Sequence, residues 1–432
     1  MSSPGFAFAD PRPSPDNYDT FNPKDVFADA GVPVPPPEIE PIPPPTRTPL
    51  VMALSDVLGA AATNQIQQAG QIVFHSVGDT GGVKNPAPQF AVADALVGDL
   101  AGKNYSQGRP AFLYHLGDVV YFFGQEQYYF DQFYDPYRDY DAPIFAIPGN
   151  HDSAVAASIP VPYSLQPFVA NFCTKTPAHN PIAQGSARTT MTQPAVYFTL
   201  DMPFAKVIGL YSNAGETAGV ISGGAAGNAQ LQFLLAQLQA AAAQRKSGDV
   251  RALIIAVHHP PFTGSSSHFP SPEMLAEIDA QCVAAGIWPD LVLSGHAHLY
   301  ERYTRKMKSD GREIPYVVSG NGGYLNLAGF KTGQGGAPAK TGIPGSDGKG
   351  NILTLEAYND KTFGLLRVAV SAKSIVVNSI GVDQTTKKTS NVDSFTLDLT
   401  KHVVTNGAGA KPASKPAAKA GKAKKASRQK SK

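Results

Sequence analysis

Short apolar runs alternate with amphipathic stretches through the middle of the chain. Runs rich in β-branched and aromatic residues predict buried strands at residues 71–77, 110–116, 142–148, 206–212, 251–257, 290–295 and 314–320. Apolar positions at helical spacing predict helices at residues 88–102, 126–137, 228–246 and 272–286. Strands that alternate with helices in this way are typical of βαβ units, in which helices cover a largely parallel sheet.

The pattern changes after residue 320. Residues 321–351 are rich in glycine, which predicts long loops. Alternating apolar positions then predict paired antiparallel strands at residues 363–371 and 374–382, and a further strand at 394–399 would close that sheet. The chain therefore combines a βαβ region with an antiparallel C-terminal part.

Both ends of the chain differ in composition from the region between them. Residues 1–50 contain 14 of the 37 prolines, which favours an extended or disordered segment that lies on the body or tethers it. Residues 401–432 consist largely of lysine, alanine and proline and predict a disordered tail, because they lack large apolar side chains. We expect a Pro-rich extension at 1–50, one folded domain at 51–400 and a basic tail at 401–432.

The net charge of +2 hides an uneven distribution. Residues 401–432 carry ten basic residues and no acidic one, which leaves 26 basic against 34 acidic residues on the rest of the chain. Ten cations supply salt-dependent attraction to phosphate backbones, so weak contact with nucleic acid or another polyanion is one function open to the tail. The tail has no aromatic residue for base stacking, which argues against specific recognition of nucleic acid.

The cysteine content and the apolar segments of the chain indicate where in the cell the protein is located. Two cysteines, Cys173 and Cys282, are too few for a disulfide framework and form no CxxC metal motif. The first 19 residues lack a basic stretch followed by an apolar one, so they do not resemble a secretory signal. No apolar run approaches the roughly 18 residues that span a bilayer. These features predict a cytoplasmic protein without a transmembrane segment.

Five short polar clusters follow predicted strands. They are GDTGG (78–82), GDVVY (117–121), PGNHD (148–152), VHHPPF (257–262) and SGHAHLYER (294–302). Each cluster alone is compatible with an ordinary turn. The carboxyl ends of strands in an open α/β sheet line a common crevice, however, so five clusters at five strand ends predict one shared site.

The residue types in these clusters suit metal binding. Carboxylates, imidazoles and an amide oxygen together can hold two cations about 3.5–4 Å apart, which clamp a phosphate group between them. Such a pair needs one carboxylate that reaches both ions. Asp118, in the second cluster, is the best candidate for this bridge.

The ordered set resembles the calcineurin-like metallophosphoesterase superfamily, whose usual motifs are DxH, GDxxD, GNH[DE], a single His and GHxH. The resemblance covers residues 70–325 approximately. Gly81 stands where many members have a metal-binding His, and Tyr121 stands where an Asp is usual. This pair of departures resembles the purple acid phosphatase branch, in which the tyrosine binds the first iron.

The resemblance implies a fold and a set of ligands. The fold is an α/β four-layer α/β/β/α metallophosphatase sandwich, with two mixed sheets flanked by helices. The implied ligands of the first ion are Asp79, Asp118, Tyr121 and His298, and those of the second are Asp118, Asn150, His258 and His296. A tyrosinate ligand favours ferric iron at the first site, and the second ion is Fe, Zn or Mn. His258 is preferred over His259 because the family pattern places the ligand there.

Three further residues are implied to act on the substrate. His151 follows the ligand Asn150 and is implied to lie near the leaving group, where Asp152 would keep its imidazole protonated by hydrogen bonding. His268, in a loop ten residues after His258, corresponds to a histidine that contacts substrate in similar enzymes. We treat His151, Asp152 and His268 as the catalytic candidates.

The resemblance implies an acid phosphatase-like hydrolase that cleaves phosphate monoesters of a small substrate by attack of a metal-bound hydroxide. Two alternatives remain open. The first is a phosphodiesterase acting on cyclic nucleotides or phospholipid-type esters, since the same ligands serve both reactions. The second is a non-enzymatic protein that binds polyanions through residues 401–432.

Overall fold

A computed structural model describes residues 42–407, except for 83–84, 103–107, 122–123, 154–164, 215–218, 224–225 and 332–339. Two mixed β-sheets form its centre. The larger sheet has nine strands in the order β1 (Val51–Ala53), β5 (Phe198–Met202), β6 (Ala205–Leu210), β7 (Ala252–Val257), β8 (Leu291–Ser294), β10 (Glu313–Ser319), β9 (Tyr300–Lys306), β12 (Ile352–Asn359) and β11 (Pro344–Ser346). The smaller has seven, in the order β16 (Val403–Asn406), β15 (Thr389–Asp398), β14 (Ser374–Val382), β13 (Phe363–Ser371), β2 (Gln71–Val77), β3 (Leu113–His115) and β4 (Ile144–Ala146).

Helices cover the outer faces of both sheets. The described α-helices are α1 (Ser55–Ala69), α2 (Ala87–Ala101), α3 (Gln166–Phe172), α4 (Ala229–Lys246) and α5 (Pro272–Ala285). Unlike the others, α1 packs against buried residues that lie between the two sheets. Buried side chains of both sheets share one cluster, in which Phe74 of β2 belongs with Leu293 of β8. Leu96 of α2 belongs to a second cluster outside the smaller sheet, and α4 and α5 belong to a third outside the larger one. The α/β/β/α layering that the resemblance implied is confirmed.

Parallel strands in both sheets position the polar clusters. Strands β2, β3 and β4 run parallel to one another, and so do β6, β7 and β8. Every residue of β7, with the sequence ALIIAV, is buried, as expected for a parallel strand covered on both faces. The carboxyl ends of these strands therefore lie at one edge of each sheet.

Local signals explain the helix α5. The side chain of Ser271 accepts a hydrogen bond from the amide of Met274, and Pro272 occupies the first turn. Gly286 ends the helix with φ 68°, a left-handed conformation that glycine adopts without a side-chain penalty. The predicted helix at 272–286 is therefore confirmed, with its end set by the glycine.

Several elements differ from the sequence-based expectation. The stretch 126–137 was expected to be one helix, but it forms a 3₁₀ turn at Glu126–Tyr128 and a π-helix at Phe130–Tyr134. The amide of Asp135 donates to the carbonyl of Phe130 over 2.8 Å, which gives the wider turn. The strands β1, β5, β9, β12 and β16 and the helices α1 and α3 were not expected at all. The region 321–351 contains the short strand β11 besides its loops.

The ends of the described chain lie on the body. The amide of Thr46 donates to the carbonyl of Pro194 over 2.9 Å, so the last part of the predicted Pro-rich extension contacts the domain. Strand β16 falls within the segment expected to be a tail, and it pairs with β15. Residues 1–41 and 408–432, which carry most of both predicted end segments, lie outside the described residues. Among the described helices, none has both the length and the apolar character required to cross a bilayer.

Candidate metal centre

The five polar clusters meet at the carboxyl ends of strands from both sheets. Asp79 and Asp118 follow β2 and β3 of the smaller sheet, and Asn150 follows β4. His258 follows β7 of the larger sheet, and His296 and His298 follow β8. Their potential ligand atoms fall into two groups, each within 4.8 Å: Asp79, Asp118 and His298 in one, and Asp118, His258 and His296 in the other. Asp118 belongs to both groups, as a bridging ligand would.

Tyr121 completes the first group. Its phenol oxygen lies 3.4 Å from Oδ1 of Asp79 and 3.4 Å from Nε2 of His298. All three side chains are buried. A phenol, a carboxylate and an imidazole that converge in this way present three oxygen or nitrogen donors to one point.

Asn150 completes the second group. Its side-chain oxygen lies 3.1 Å from Nε2 of His258 and 2.9 Å from Nδ1 of His296. Oδ2 of Asp118 is buried and accepts no hydrogen bond from the described residues. A buried carboxylate oxygen without a donor is costly unless a cation faces it, so the donor set fits two metal ions.

The loops that carry three of these candidate ligands adopt a rare backbone conformation. Asp79, Asp118 and His296 have φ values of 57°, 54° and 64°. Non-glycine residues in this left-handed region are strained, and such residues gather at functional sites. A Cβ at Gly149 would clash with Oδ1 of Asp118 and lie 2.7 Å from Cε1 of His258, so only glycine fits beside the bridge.

The pairing of glycine at position 81 with tyrosine at position 121 has a steric basis. A Cβ added to Gly81 would lie 2.6 Å from Cδ2 of Tyr121. The ring of Tyr121 therefore takes the space that a side chain at position 81 would need. The tyrosine at position 121 therefore requires a glycine at position 81.

Hydrogen bonds distinguish the two adjacent histidines. Nδ1 of His258 lies 2.8 Å from the carbonyl oxygen of Leu116, so Nδ1 carries a proton and Nε2 is the nitrogen directed at the site. Nδ1 of His259 instead lies 2.9 Å from the hydroxyl of Ser212. The structure thus directs His258 toward the ligand position and packs the ring of His259 4.2 Å from that of His296.

Three partly exposed rings surround the mouth of the site. The ring of His151 lies 4.4 Å from that of Tyr121, and His268 lies 4.7 Å from both His296 and His298. Tyr324 packs 4.2 Å from Tyr121 and 4.4 Å from His298. Sequence reasoning missed Tyr324 because it lies in a glycine-rich loop. Its position five residues after β10, a strand with its carboxyl end at the same edge, was the available signal.

Asp152 holds the loops of the site. Its Oδ1 accepts hydrogen bonds from the amides of Val119 and Val120, and its Oδ2 accepts one from Gly149. Burial and the charge of Asp118 raise the pKa of Asp152 to about 7. These contacts join the second and third clusters. The expected effect of Asp152 on the imidazole of His151 stays a prediction.

The electric environment favours cations. Burial, followed by the charges of Asp118 and Asp79, raises the pKa of the Tyr121 phenol well above its ordinary value. Burial opposes ionisation of Asp118, yet His258 and His151 hold its pKa below the usual range. Burial disfavours the charged imidazole of His258, but Asp118 raises its pKa to about 9. If both side chains hold a metal ion, His258 and Tyr121 would each have to give up a proton to it.

The chain is similar to known phosphoesterases. A family model described as calcineurin-like phosphoesterase matches residues 72–300. No curated protein sequence matches the chain. Among solved structures, the purple acid phosphatase PPD1 from yellow lupin (Lupinus luteus) seeds is 15% identical, with a TM-score of 0.49, over 76% of this chain and 54% of its own. The chain thus spans about half the length of the lupin protein.

Two further solved structures are similar. GAP50, the anchor in the inner membrane complex of Plasmodium, is 15% identical over 74% of this chain and 88% of its own, with a TM-score of 0.46. PhoD is 12% identical over 80% of this chain and 73% of its own, also with a TM-score of 0.46.

Proposed function

The chain belongs to the calcineurin-like phosphoesterase family of metal-dependent phosphoester hydrolases, and from this premise we propose that it is an acid phosphatase-like phosphomonoesterase with two metal ions. The observation that carries the proposal is the pair of ligand groups that share Asp118. The presence of Tyr121 in the first group supports the acid phosphatase type.

The donor sets suggest different ions at the two positions. Tyr121 binds as tyrosinate only to a strongly Lewis-acidic ion, because burial and two carboxylates oppose its ionisation. We therefore assign iron to the group of Asp79, Asp118, Tyr121 and His298. The group of Asp118, Asn150, His258 and His296 suits Fe, Zn or Mn. When bound, the two ions polarise the phosphate group and supply the nucleophile.

Three side chains at the mouth orient the substrate and supply a proton to its leaving oxygen. His151, beside Tyr121 at the mouth, is placed to donate a proton to the leaving oxygen. His268 closes the opposite side, next to His296 and His298. Burial, followed by the neighbouring His298, lowers the pKa of His268 to about 3, so its imidazole is neutral and can contact the phosphate as a single hydrogen-bond donor. Tyr324 adds a flat apolar face for the organic part of the ester.

Elemental analysis and a substrate panel test the proposal together. The purified protein should contain iron and a second transition metal, and it should hydrolyse p-nitrophenyl phosphate faster than bis(p-nitrophenyl) phosphate. Faster hydrolysis of the bis ester would favour the phosphodiesterase alternative. Loaded protein that hydrolyses neither ester would contradict both enzymatic functions. Polyanion binding by the basic tail stays a prediction, since residues 408–432 lie outside the described part of the chain.

A further inference from the structure

Three buried glutamines share one kind of contact. Each carboxamide accepts a hydrogen bond from the amide of a residue in another segment and donates one to the carbonyl of that same residue. The pairs are Gln132 with Tyr121, Gln193 with Ala146, and Gln230 with Tyr211. A carboxamide used in this way replaces the neighbouring strand that a regular sheet would supply. Only the first pair involves a candidate metal ligand.

Gln132 holds the main chain of Tyr121 on both sides. Its Oε1 lies 2.9 Å from the amide nitrogen of Tyr121, and its Nε2 lies 3.2 Å from the carbonyl oxygen. Both side chains have no exposed surface. The orientation of the carboxamide is determined, because the flipped one would bring two donors together and two acceptors together.

The segment that leads to Tyr121 depends on such contacts. Residues 119–121 form no strand or helix, so their amides need partners elsewhere. Asp152 accepts from the amides of Val119 and Val120, and Gln132 accepts from that of Tyr121. Three consecutive amides are thus held by two buried side chains, and the third amide belongs to Tyr121 itself.

The π-helix directs the side chain of Gln132 toward the main chain of Tyr121. The wider turn over Phe130–Tyr134 changes the direction of side chains relative to an α-helix, and π turns often occur at functional sites. Gln89 of α2 connects the arrangement to the first cluster, since its Nε2 donates to the carbonyl of Gln132 over 2.7 Å and its Oε1 accepts from the amide of Gly82 over 2.9 Å. A Cβ at Gly81 would clash with Oε1 of Gln132 as well as with Tyr121.

We propose that Gln132 is a positioning residue for Tyr121: through the main chain it holds the phenol oxygen within reach of Asp79 and His298. Gly81, Gln132 and Tyr121 then form one matched unit, in which each residue needs the other two. The proposal rests on the proposed function for its metal, but the position of the ring can be measured without metal.

The test compares Gln132→Leu with Gln230→Leu in the full chain. Gln230 offers a matched control, because it makes the same pair of contacts to Tyr211, which is not a candidate ligand. In iron-loaded protein we expect Gln132→Leu to lower the affinity for iron ~10-fold and to shift or weaken the tyrosinate-to-iron absorption band. Gln230→Leu should leave both unchanged. Gln132→Glu, which as a protonated acid keeps an acceptor for the Tyr121 amide and a donor for its carbonyl oxygen, should have the smaller effect and serves if Gln132→Leu does not fold.

A metal-free measurement separates the two proposals. 3-Fluorotyrosine placed at position 121 gives a fluorine NMR signal whose shift and width report on the ring. We expect this signal to move or broaden in Gln132→Leu and to stay unchanged in Gln230→Leu. Absence of the iron band in the wild type would contradict the proposed metal but not the positioning role. Identical fluorine signals in the Gln132 variants and Gln230→Leu would overturn the positioning role itself.

Discussion

Oδ1 of Asp118 lies 3.3 Å from Nε2 of His258, although the two residues belong to different sheets. Asp118 follows β3 of the seven-stranded sheet, and His258 follows β7 of the nine-stranded sheet. The candidate metal centre is therefore built across the two sheets, and its geometry depends on how they pack. A carboxylate that belongs to both ligand groups links the two halves of the site.

Asp118→Asn should remove most of the bound metal. The amide keeps one neutral oxygen and cannot bridge two cations, so we expect phosphoester hydrolysis to fall by about 10²-fold or more together with metal content. Metal analysis and hydrolysis rates check this. Asp94→Asn, which changes an exposed carboxylate paired with Lys387, is the control and should keep both. An Asp118→Asn protein with two ions and full activity would refute the bridge.

Tyr121→Phe should abolish the visible absorption of the iron-loaded protein. The band requires a phenolate oxygen on iron, and phenylalanine retains the ring without that oxygen. Tyr324→Phe is the matched control, since the ring of Tyr324 packs 4.4 Å from His298 but its oxygen is no candidate ligand. Absorption spectra of the three proteins decide the matter. A band that survives in Tyr121→Phe means that another residue binds the iron.

Gly81→Ala should destabilise the fold, while Gly98→Ala should not. The added methyl at position 81 meets Tyr121 and Gln132, and overpacking of this kind costs about 1–3 kcal/mol. Gly98 lies inside α2 with open space around it, so alanine there should increase the free energy of unfolding by about 0.5–1 kcal/mol. Urea unfolding of both variants measures the difference. Equal stabilities would show that Tyr121 does not fill the space beside Gly81.

The buried His75 should make stability depend on pH. Its Nε2 lies 2.7 Å from Asp99 and its Nδ1 lies 3.0 Å from the hydroxyl of Tyr140, while Arg367 also binds Asp99. Burial lowers the pKa of His75, although Asp99 opposes this. The unfolded chain then binds a proton that the folded chain does not, so the free energy of unfolding falls as the pH drops below about 6.5.

Asp99 makes the free energy of unfolding depend on pH in a lower range than His75 does. Burial opposes its ionisation, but the hydrogen bond from His75 and the charge of Arg367 lower its pKa, so its contribution is lost only below about pH 3.9. Between pH 6.5 and 4.5, His75→Gln should therefore flatten the curve by up to about 1.4 kcal/mol per pH unit. Urea unfolding at stepped pH measures the slopes, with the exposed His179→Gln as control. Parallel wild-type and His75→Gln curves would contradict the prediction.

Much of the fold could be predicted because its pattern is local. Strands such as ALIIAV in β7 are apolar throughout, and the helix α5 begins and ends with residues that favour helix ends. Strand β9, YERYTRK, could not be predicted, since four of its seven residues are charged. Its two arginines are buried only because distant carboxylates neutralise them: Arg302 pairs with Asp393, and Arg305 pairs with Asp279 and Asp347.

Some features of the candidate site were likewise determined by the sequence, and others only by the tertiary structure. The sequence alone determined which side chains follow the strands, and therefore the types of metal ligand, because strand ends and turn residues are encoded in neighbouring positions. Only the tertiary structure decided that Tyr324 lies at the mouth and that Gln132 holds Tyr121, and it also brought Asp118 within reach of both groups of candidate ligands. These relationships depend on distances between segments that are far apart in the chain, and such distances arise from the packing of the two sheets.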